Sequence, residues 1–382
     1  MINFNKYYSL YIHIPWCLKK CPYCDFYSTI FIKKNKQVQE QYINSLLLDL
    51  KKTLFLIKRT IYIKSIFLGG GTPSLLNKKL ISLLLNKIKK NVNVLKTAEI
   101  TIEINPSSIS EKKIRSYIDS GINRFSIGIQ SFNNKSLKIL GRIHNSEEAI
   151  NAINILIQNN ISNFNLDIIY GIPGQSLKNS YDDLYKAILF QPSHISWYQL
   201  TIEKNTIFEK IKPKNLLNDD LLWKMFLQGK KMLFKHKYFQ YEISSFVRKE
   251  EFVCKHNLNY WYFGNYLGIG CNSHSKITLL NKKIIRIIKN KNIKQYINGY
   301  YFYSTKKILD KEIIFEFFLN RFRLYKKINK KEFFKITGIK ITKILPLIKK
   351  ALKLNYLKEN NNYWFITNKG HLYLNDLLEI FI

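Results

Sequence analysis

The sequence predicts an α/β protein, a partial (β/α)6 barrel followed by a small C-terminal α+β domain, on three observations. Short β-rich runs alternate with longer helical ones from Ser9 to about Glu203, and that order demands a parallel sheet with right-handed crossovers. The alternating stretch holds about six such units, whereas a closed eight-unit barrel needs around 250 residues. From about Lys311 the order changes to three helices and a hairpin. With 382 residues and 46% hydrophobic content, the chain can supply two cores, and no stretch has a disordered composition.

Strands are expected over 9–14, 61–68, 99–104, 124–130, 164–169 and 194–200. The fourth alternates cleanly, with Phe125, Ile127 and Ile129 on one face and Ser126, Gly128 and Gln130 on the other. One helix is expected over 41–58, where Leu46, Leu47, Leu50 and Leu54 recur at helical spacing. Others are expected over 76–91 and over 146–158, the latter starting with Ser146 ahead of Glu147 and Glu148. Residues 204–300 read as less regular and rich in aromatics. The tail ends in a hairpin over 356–367 around the polar turn Asn360-Asn361-Asn362. This helix–helix–helix–hairpin order is similar to a winged-helix module. Its basic residues are no denser than elsewhere, which favours packing or partner docking over duplex binding.

The net charge of +36 invites an anionic partner. Yet the lysines are scattered end to end and accompany an excess of Ile, Asn, Tyr and Phe, the signature of A/T-rich codons, so a nucleic-acid partner is not expected. No charge-free apolar run reaches membrane-spanning length. Residues 1–10 are too short for a signal peptide, because Tyr11 already belongs to a strand. Of the five cysteines, three lie within eight residues. An odd, clustered set points to a metal site in a reducing compartment, the cytoplasm, rather than to disulfides.

In parallel folds the active site forms at the carboxyl ends of the strands. The first strand runs into Cys17-x-x-x-Cys21-x-x-Cys24. Three thiolates on one loop suit three corners of a cubic iron–sulfur cluster with the fourth iron open. A zinc site completed by His13 or a distant residue is the alternative, although structural zinc usually collects two close ligand pairs. The second strand ends in Gly69-Gly70-Gly71-Thr72-Pro73, which lets backbone approach a ligand closely but lacks the lysine of a phosphate loop. Glu103 ends the third strand, Gln130 the fourth, and Asp167 lies on the fifth; Arg142 follows one helix after Gln130. Together these suit a ligand with an amino group, ribose hydroxyls and a carboxylate. S-adenosylmethionine (SAM) carries all three.

These motifs resemble the radical SAM superfamily, marked by CxxxCxxC after the first strand of a partial barrel. Tyr11 to Cys17, Gly69 to Ser74, Gly128 to Phe132, Gly141 to Asn145 and Asp167 to Gln175 resemble the branch holding oxygen-independent coproporphyrinogen III oxidases and the HemW haem chaperones. The resemblance implies that Cys17, Cys21 and Cys24 bind a [4Fe–4S] cluster. It implies that Tyr11, Gly70, Gly71, Thr72, Glu103, Gln130, Arg142 and Asp167 contact SAM. In that superfamily a reduced cluster cleaves SAM to methionine and a 5′-deoxyadenosyl radical. We expect a radical SAM core over 1–235, a connecting region over 236–305 and the C-terminal domain over 306–382.

Within the branch, the oxidases carry a further cysteine where this chain has Phe26, and a longer segment ahead of the first strand. His256-Asn257-Leu258-Asn259-Tyr260-Trp261 matches HNxxYW, a motif associated with haem in the chaperones. The resemblance therefore implies a haem chaperone, with His256 as a candidate haem ligand. The alternative is the oxidase, which decarboxylates two propionates by radical abstraction. The implied partners are haem as cargo, haem-accepting proteins (including ones at a membrane surface) and a one-electron reductant. Cys254 and Cys271, and the histidines other than His256, carry no readable constellation.

Overall fold

The computed structural model describes residues 6–30 and 36–382; residues 1–5, part of the segment that bears on a leader, lie outside the described residues. Six strands, β1 (Tyr7–Ile14), β2 (Tyr62–Gly70), β3 (Asn93–Ile104), β4 (Arg124–Gln130), β5 (Phe164–Tyr170) and β6 (His194–Gln199), lie side by side in chain order. All five pairings between them are parallel. Helices Lys36–Ile57, Lys78–Asn91, Glu111–Asp119, Ser146–Gln158 and Leu177–Leu189 make the crossovers, and Asp219–Lys235 follows β6. This is the expected (β/α)6 arrangement.

The two faces of the sheet differ as the alternation in β4 requires. Leu10, Ile12, Ile66, Leu68, Phe125 and Ile127 are fully buried in one core with Leu46, Leu50, Leu84 and Leu85 of the covering helices. The opposite face carries Ser9, Ser65, Thr101, Ser126 and Asn165, which are buried and polar. Burying one large apolar side chain contributes about 1.5–3 kcal/mol, so the helix side holds the sheet together and leaves the polar side free to build a site. The helix Ser146–Gln158 is capped by Asn145, not Ser146. Asn145 accepts from the Glu148 N–H, and the Glu148 carboxylate accepts from the Asn145 N–H in return.

Residues 236–305 are more regular than their composition suggested. β7 (Phe239–Glu242) and β8 (Ser245–Val247) extend the sheet beyond β6 in antiparallel fashion. At the other edge β9 (Asn265–Ile269) lies parallel to β1, followed by antiparallel β10 (His274–Thr278), β11 (Ile284–Lys289) and β12 (Phe302–Lys307). These strands escaped the pattern because they are short and buried by distant partners. All three residues of β8 are buried, so no alternation exists to detect.

A buried polar network ties this segment to the first helix. Asp49 pairs with Lys289, both wholly buried, and accepts from Tyr296 Oη at 2.5 Å and the Gly270 N–H at 3.3 Å. Lys289 also donates to Thr53 Oγ1 at 2.7 Å. Two turns before Asp49, Tyr42 donates to the His13 carbonyl and accepts from the Cys271 N–H, both at 2.9 Å. The end of β1 is thus gripped from both sides.

The C-terminal part contains helices Asp310–Arg321, Lys330–Thr337 and Leu345–Lys353 and a small sheet of β13 (Ile328–Asn329), β14 (Leu357–Glu359) and β15 (Tyr363–Ile366), with β15 central. Phe317, Phe318, Phe333, Trp364 and Phe381 fill a separate core. Asn360 Oδ1 closes the hairpin by accepting from the N–H groups of Asn362 and Tyr363. Among the described residues no helix is long and apolar enough to cross a membrane.

Candidate functional site

The cysteine loop begins where β1 ends. Trp16 and Cys17 pair in parallel with Thr29 and Ile30, and the Thr29 N–H donates to the Pro15 carbonyl at 2.7 Å, closing the loop at its base. The Cys24 N–H donates to the Cys21 carbonyl at 3.1 Å, forming a tight turn. The glycine-rich end of β2 is pinned alongside, with the Gly71 N–H donating to Ile14 O at 2.8 Å and the Thr72 N–H to Trp16 O at 2.7 Å. A Cβ on Gly71 would stand 2.6 Å from the Trp16 carbonyl, which accounts for glycine there.

All three thiols line a cavity of about 450 Å³ at the carboxyl ends of the strands. Thr72 Oγ1 donates to Cys17 Sγ at 3.6 Å and Arg142 Nη1 to Cys21 Sγ at 3.7 Å. Such donors favour the thiolate, against burial, which raises Cys17 and pushes Cys24 up to about 11. Among the described residues no three His, Cys, Asp or Glu side chains converge as the ligands of one metal ion would. A cubane does not require convergence, because each thiolate meets a different iron at a separate corner. His13 is not poised to complete a zinc site. Its Nε2–H donates to the Tyr27 carbonyl at 2.9 Å and its Nδ1 accepts from Tyr11 Oη at 3.1 Å. Burial holds it neutral, with a pKa of about 4. The donor set fits an iron–sulfur cluster better than a zinc ion.

Glu103, Gln130, Arg142, Asp167, Gly70, Gly71 and Thr72 all line the same cavity. Arg142 lies buried against its wall, with Nη2 donating to the Gly128 carbonyl at 2.8 Å. Its Nε is buried and has no hydrogen-bond partner among the described residues, a donor left for a carboxylate. Gln130 adopts a left-handed backbone, φ 69°, at a register break between Gly128 and Gln130. Its Oε1 accepts from Tyr198 Oη at 3.0 Å. A strained non-glycine conformation needs support, and Asp183 supplies it next door. Asp183 accepts from Ser131 Oγ and the Phe132 N–H, both at 2.6 Å, and from Gln175 Nε2 at 3.3 Å. Gln175 in turn receives the Gly171 and Ile172 N–H groups, so one carboxylate braces the loops after β4 and β5.

Two carboxylates face this space outside any ion pair among the described residues, with the Arg124 charge nearby favouring the ionised form of Asp167. Asp167 accepts from Asn165 Nδ2 at 2.8 Å and Ser126 Oγ at 3.3 Å. Glu103 receives only the Gly70 N–H at 3.2 Å. Burial, and then the nearby Asp167 charge, raise the Glu103 pKa to about 8. A cationic amino group arriving here would favour the charged form of Glu103, opposing the shift that burial and Asp167 impose. Because the folded-state pKa lies above the ordinary value of 4.5, the proton on Glu103 stabilises the fold fully below that value, and the contribution is lost as pH rises through about 8. The expected result is a denaturation midpoint of cluster-free protein that falls from about pH 6 to about pH 9, and a shallower fall in Glu103→Gln. Equal slopes for the two proteins would place the titration elsewhere.

Gly70 has φ 106°, and a Cβ there would run into the His13 ring. Gly70→Ala is expected to cost about 1–3 kcal/mol of stability through strain and crowding and to weaken SAM binding, read by thermal denaturation and SAM titration.

Tyr11 and His256 occupy a different place. They line a second cavity of about 240 Å³ on the lumen side, which shares Glu103, Ser126 and Asp167 with the first. Tyr11 therefore stands behind Glu103 rather than on the wall of the larger cavity. His256 is 1% exposed, on the helix Lys255–Trp261, whose first N–H groups are capped by Glu99. Its Nδ1 lies 3.1 Å from Ser65 Oγ and its Nε2 3.0 Å from Tyr260 Oη, and its ring stacks on Phe67. Burial lowers its pKa to about 3.

Sequence reasoning missed Tyr198 and Asp183. Tyr198 lies near the end of β6 and was open to the strand-end rule applied to the other strands. Asp183 sits mid-helix beside Asp182, and nothing local separates a bracing carboxylate from a solvated one.

Comparison with known proteins follows the same lines. The model of the radical SAM superfamily matches residues 11–184, and that of the HemN C-terminal domain matches 308–373. The chain is 50% identical to a heme chaperone HemW of Buchnera aphidicola subsp. Schizaphis graminum, over 98% of each chain. It is 42% identical to the heme chaperone HemW of Escherichia coli K12, again over 98% of each. Among solved structures, coproporphyrinogen III oxidase (HemN) from Escherichia coli superposes with a TM-score of 0.82 at 21% identity, over 99% of this chain and 90% of that one. That last likeness concerns the fold.

Proposed function

This chain belongs to the HemW family of the radical SAM superfamily, and on that premise we propose that it is a haem chaperone, binding haem and passing it to haem-requiring proteins. One observation carries the reading: the likeness to heme chaperones spans 98% of both chains. It therefore includes the HNxxYW helix as well as the cysteine loop.

In this reading Cys17, Cys21 and Cys24 hold a [4Fe–4S] cluster, and Thr72 and Arg142 steady two of the sulfurs by donating to them. Gly70, Gly71, Thr72, Glu103, Gln130, Arg142 and Asp167 form the SAM site. The unpaired Arg142 Nε supports the carboxylate of SAM, and the Glu103–Asp167 pair supports the amino group beside it or the ribose hydroxyls. Tyr11 backs Glu103 from the lumen and helps to keep water from it. When bound, the cluster supplies single electrons to SAM, and the protein supplies orientation and a dry enclosure. The five cysteines are free thiols, in keeping with a cytoplasmic protein. A one-electron reductant and acceptor proteins, including acceptors at a membrane surface, complete the scheme.

For His256 to ligate haem, it has to give up Tyr260 or Ser65 and become exposed. Haem titration of anaerobically reconstituted protein, followed in the Soret band, tests the proposal. Wild-type protein takes up haem, and His256→Ala loses affinity if the imidazole ligates. Unchanged uptake removes His256 from that role. The same sample, given SAM, reductant and coproporphyrinogen III, is expected to yield no protoporphyrinogen IX. Product formation, or no haem uptake by the wild type, overturns the chaperone reading.

A further inference from the structure

The two cavities share Asp167, and the groups behind it lead to the helix Lys255–Trp261. Asp167 Oδ1 accepts from Asn165 Nδ2 at 2.8 Å, and Asn165 Oδ1 lies 2.6 Å from His194 Nδ1. An amide oxygen can only accept, so His194 carries its proton on Nδ1. Burial, and then the Arg124 charge, keep the ring neutral, which leaves Nε2 to accept from Tyr241 Oη at 2.9 Å. The Tyr241 oxygen in turn accepts from the Cys254 N–H at 3.4 Å, at the N-cap of the helix. Every donor in this chain points toward Asp167, and aligned bonds of this kind strengthen one another.

A second link runs beside the first. Arg124, the first residue of β4, is 2% exposed and lines the lumen cavity with Asp167 and His256. Its Nε has no hydrogen-bond partner among the described residues. Glu99 and Asp167 are both among the groups whose charge acts on it. Glu99 is also the carboxylate that accepts from the N–H groups of Lys255, at 2.9 Å, and His256, at 3.0 Å. A buried guanidinium with an unused donor, under the charge of two carboxylates, has two partners to choose from.

We propose that Arg124 is a positioning residue that couples the SAM site to the HNxxYW helix: engagement of Asp167 turns Arg124 toward Glu99 and frees the first turn of the helix, His256 included. The inference rests on the chaperone reading and deepens it by giving the sealed His256 a trigger. Asp167 already accepts from Asn165 and Ser126. An ionised carboxylate has about four acceptor sites, so ribose hydroxyls compete there with Asn165 and Arg124. Asp167 then holds both less strongly, and the chain through His194 to the Cys254 N–H slackens. Arg124 pairs with Glu99, which releases the two helix N–H groups. With Glu99 on the helix, as in the structure, His256 stays against Ser65 and Tyr260. By linkage, the gain in haem affinity with SAM bound equals the gain in SAM affinity with haem bound.

Hydrogen exchange of the segment Lys255–Trp261, read by mass spectrometry on cluster-loaded full-length protein, tests the coupling. All proteins are compared at saturating SAM, with binding confirmed from the cluster spectrum. In the wild type, SAM is expected to speed exchange there about tenfold and to tighten haem binding about fivefold. Arg124→Met loses both effects, and Arg124→Lys, which restores a cation, recovers part of each. Tyr241→Phe removes one hydroxyl from the chain; its helix exchanges faster without SAM and responds less to it. That variant decides the matter if Arg124→Met does not fold. A SAM response of wild-type size in Arg124→Met or, failing that, in Tyr241→Phe overturns the coupling, as does a wild-type helix whose exchange ignores bound SAM. No haem uptake by the wild type removes the chaperone reading instead, and the exchange data then judge the coupling on their own.

Discussion

Cys21→Ser is expected to leave reconstituted protein without a cubane, with its broad visible absorbance gone and its bound iron near background. The loop offers three thiols and closes at its base through the Thr29–Pro15 bond, so no fourth thiol is within the loop to substitute. A serine hydroxyl is far weaker than a thiol both as an acid and as a soft ligand for iron. Arg142 would also lose the Cys21 sulfur to which it donates at 3.7 Å, so the SAM-induced spectral change disappears with the cluster. Cys254 and Cys271 provide the contrast. Both are fully buried, far from the loop in sequence, and pushed by burial up to about 12. Cys254 Sγ lies 3.6 Å from Glu99 Oε1, at the start of the helix Lys255–Trp261. Cys254→Ser therefore keeps the cluster. Retention of a full cluster in Cys21→Ser, or its loss in Cys254→Ser, would move the metal site away from the loop.

The largest loss of stability is expected from Lys289→Met. Asp49 and Lys289 are wholly buried, and their charges are held together by Tyr296, Thr53 and the Gly270 N–H. Burial alone raises Asp49 and lowers Lys289, each toward its neutral form, and the partner charge opposes both shifts. Removing one member leaves the other desolvated and unpaired, a loss of about 3–5 kcal/mol. The double variant Asp49→Asn/Lys289→Met removes both charges and should recover much of that loss. Urea denaturation of the three proteins decides the matter. Equal destabilisation by the single and double variants would mean that packing, not charge, is what the pair supplies. Because the network reaches the His13 carbonyl through Tyr42, the single variant should also assemble its cluster less completely.

The repeated β–α pattern was readable because each barrel strand buries one face against helices. That burial imposes alternation along β4, and the turns between elements are short enough to keep it local. The cysteine spacing and the glycine run were readable for a related reason. Each needs particular residue types within a few positions, the thiols to reach separate irons and Gly71 to clear the Trp16 carbonyl.

Other features had no local trace. Tyr11 sits in a motif yet faces the second cavity, because alternation along β1 places it level with Phe67 and His256. Asp183 works through Ser131 and Phe132, about fifty residues before it, and its helix would look the same without them. The strands of 236–305 are short, and they join the sheet through β8 beside β6 and through β9 beside β1, the latter across 257 residues of chain.

The sequence by itself determined the family, the order of the barrel elements and the three thiols, since those depend on residue type and short-range spacing. Only the tertiary structure decided which carboxylates share a cavity, that Arg142 keeps a free donor, and that His256 is sealed beneath the site with both ring nitrogens engaged. Burial, electrostatics and hydrogen-bond partners arise between segments that meet only on folding, and no local window of the chain contains them.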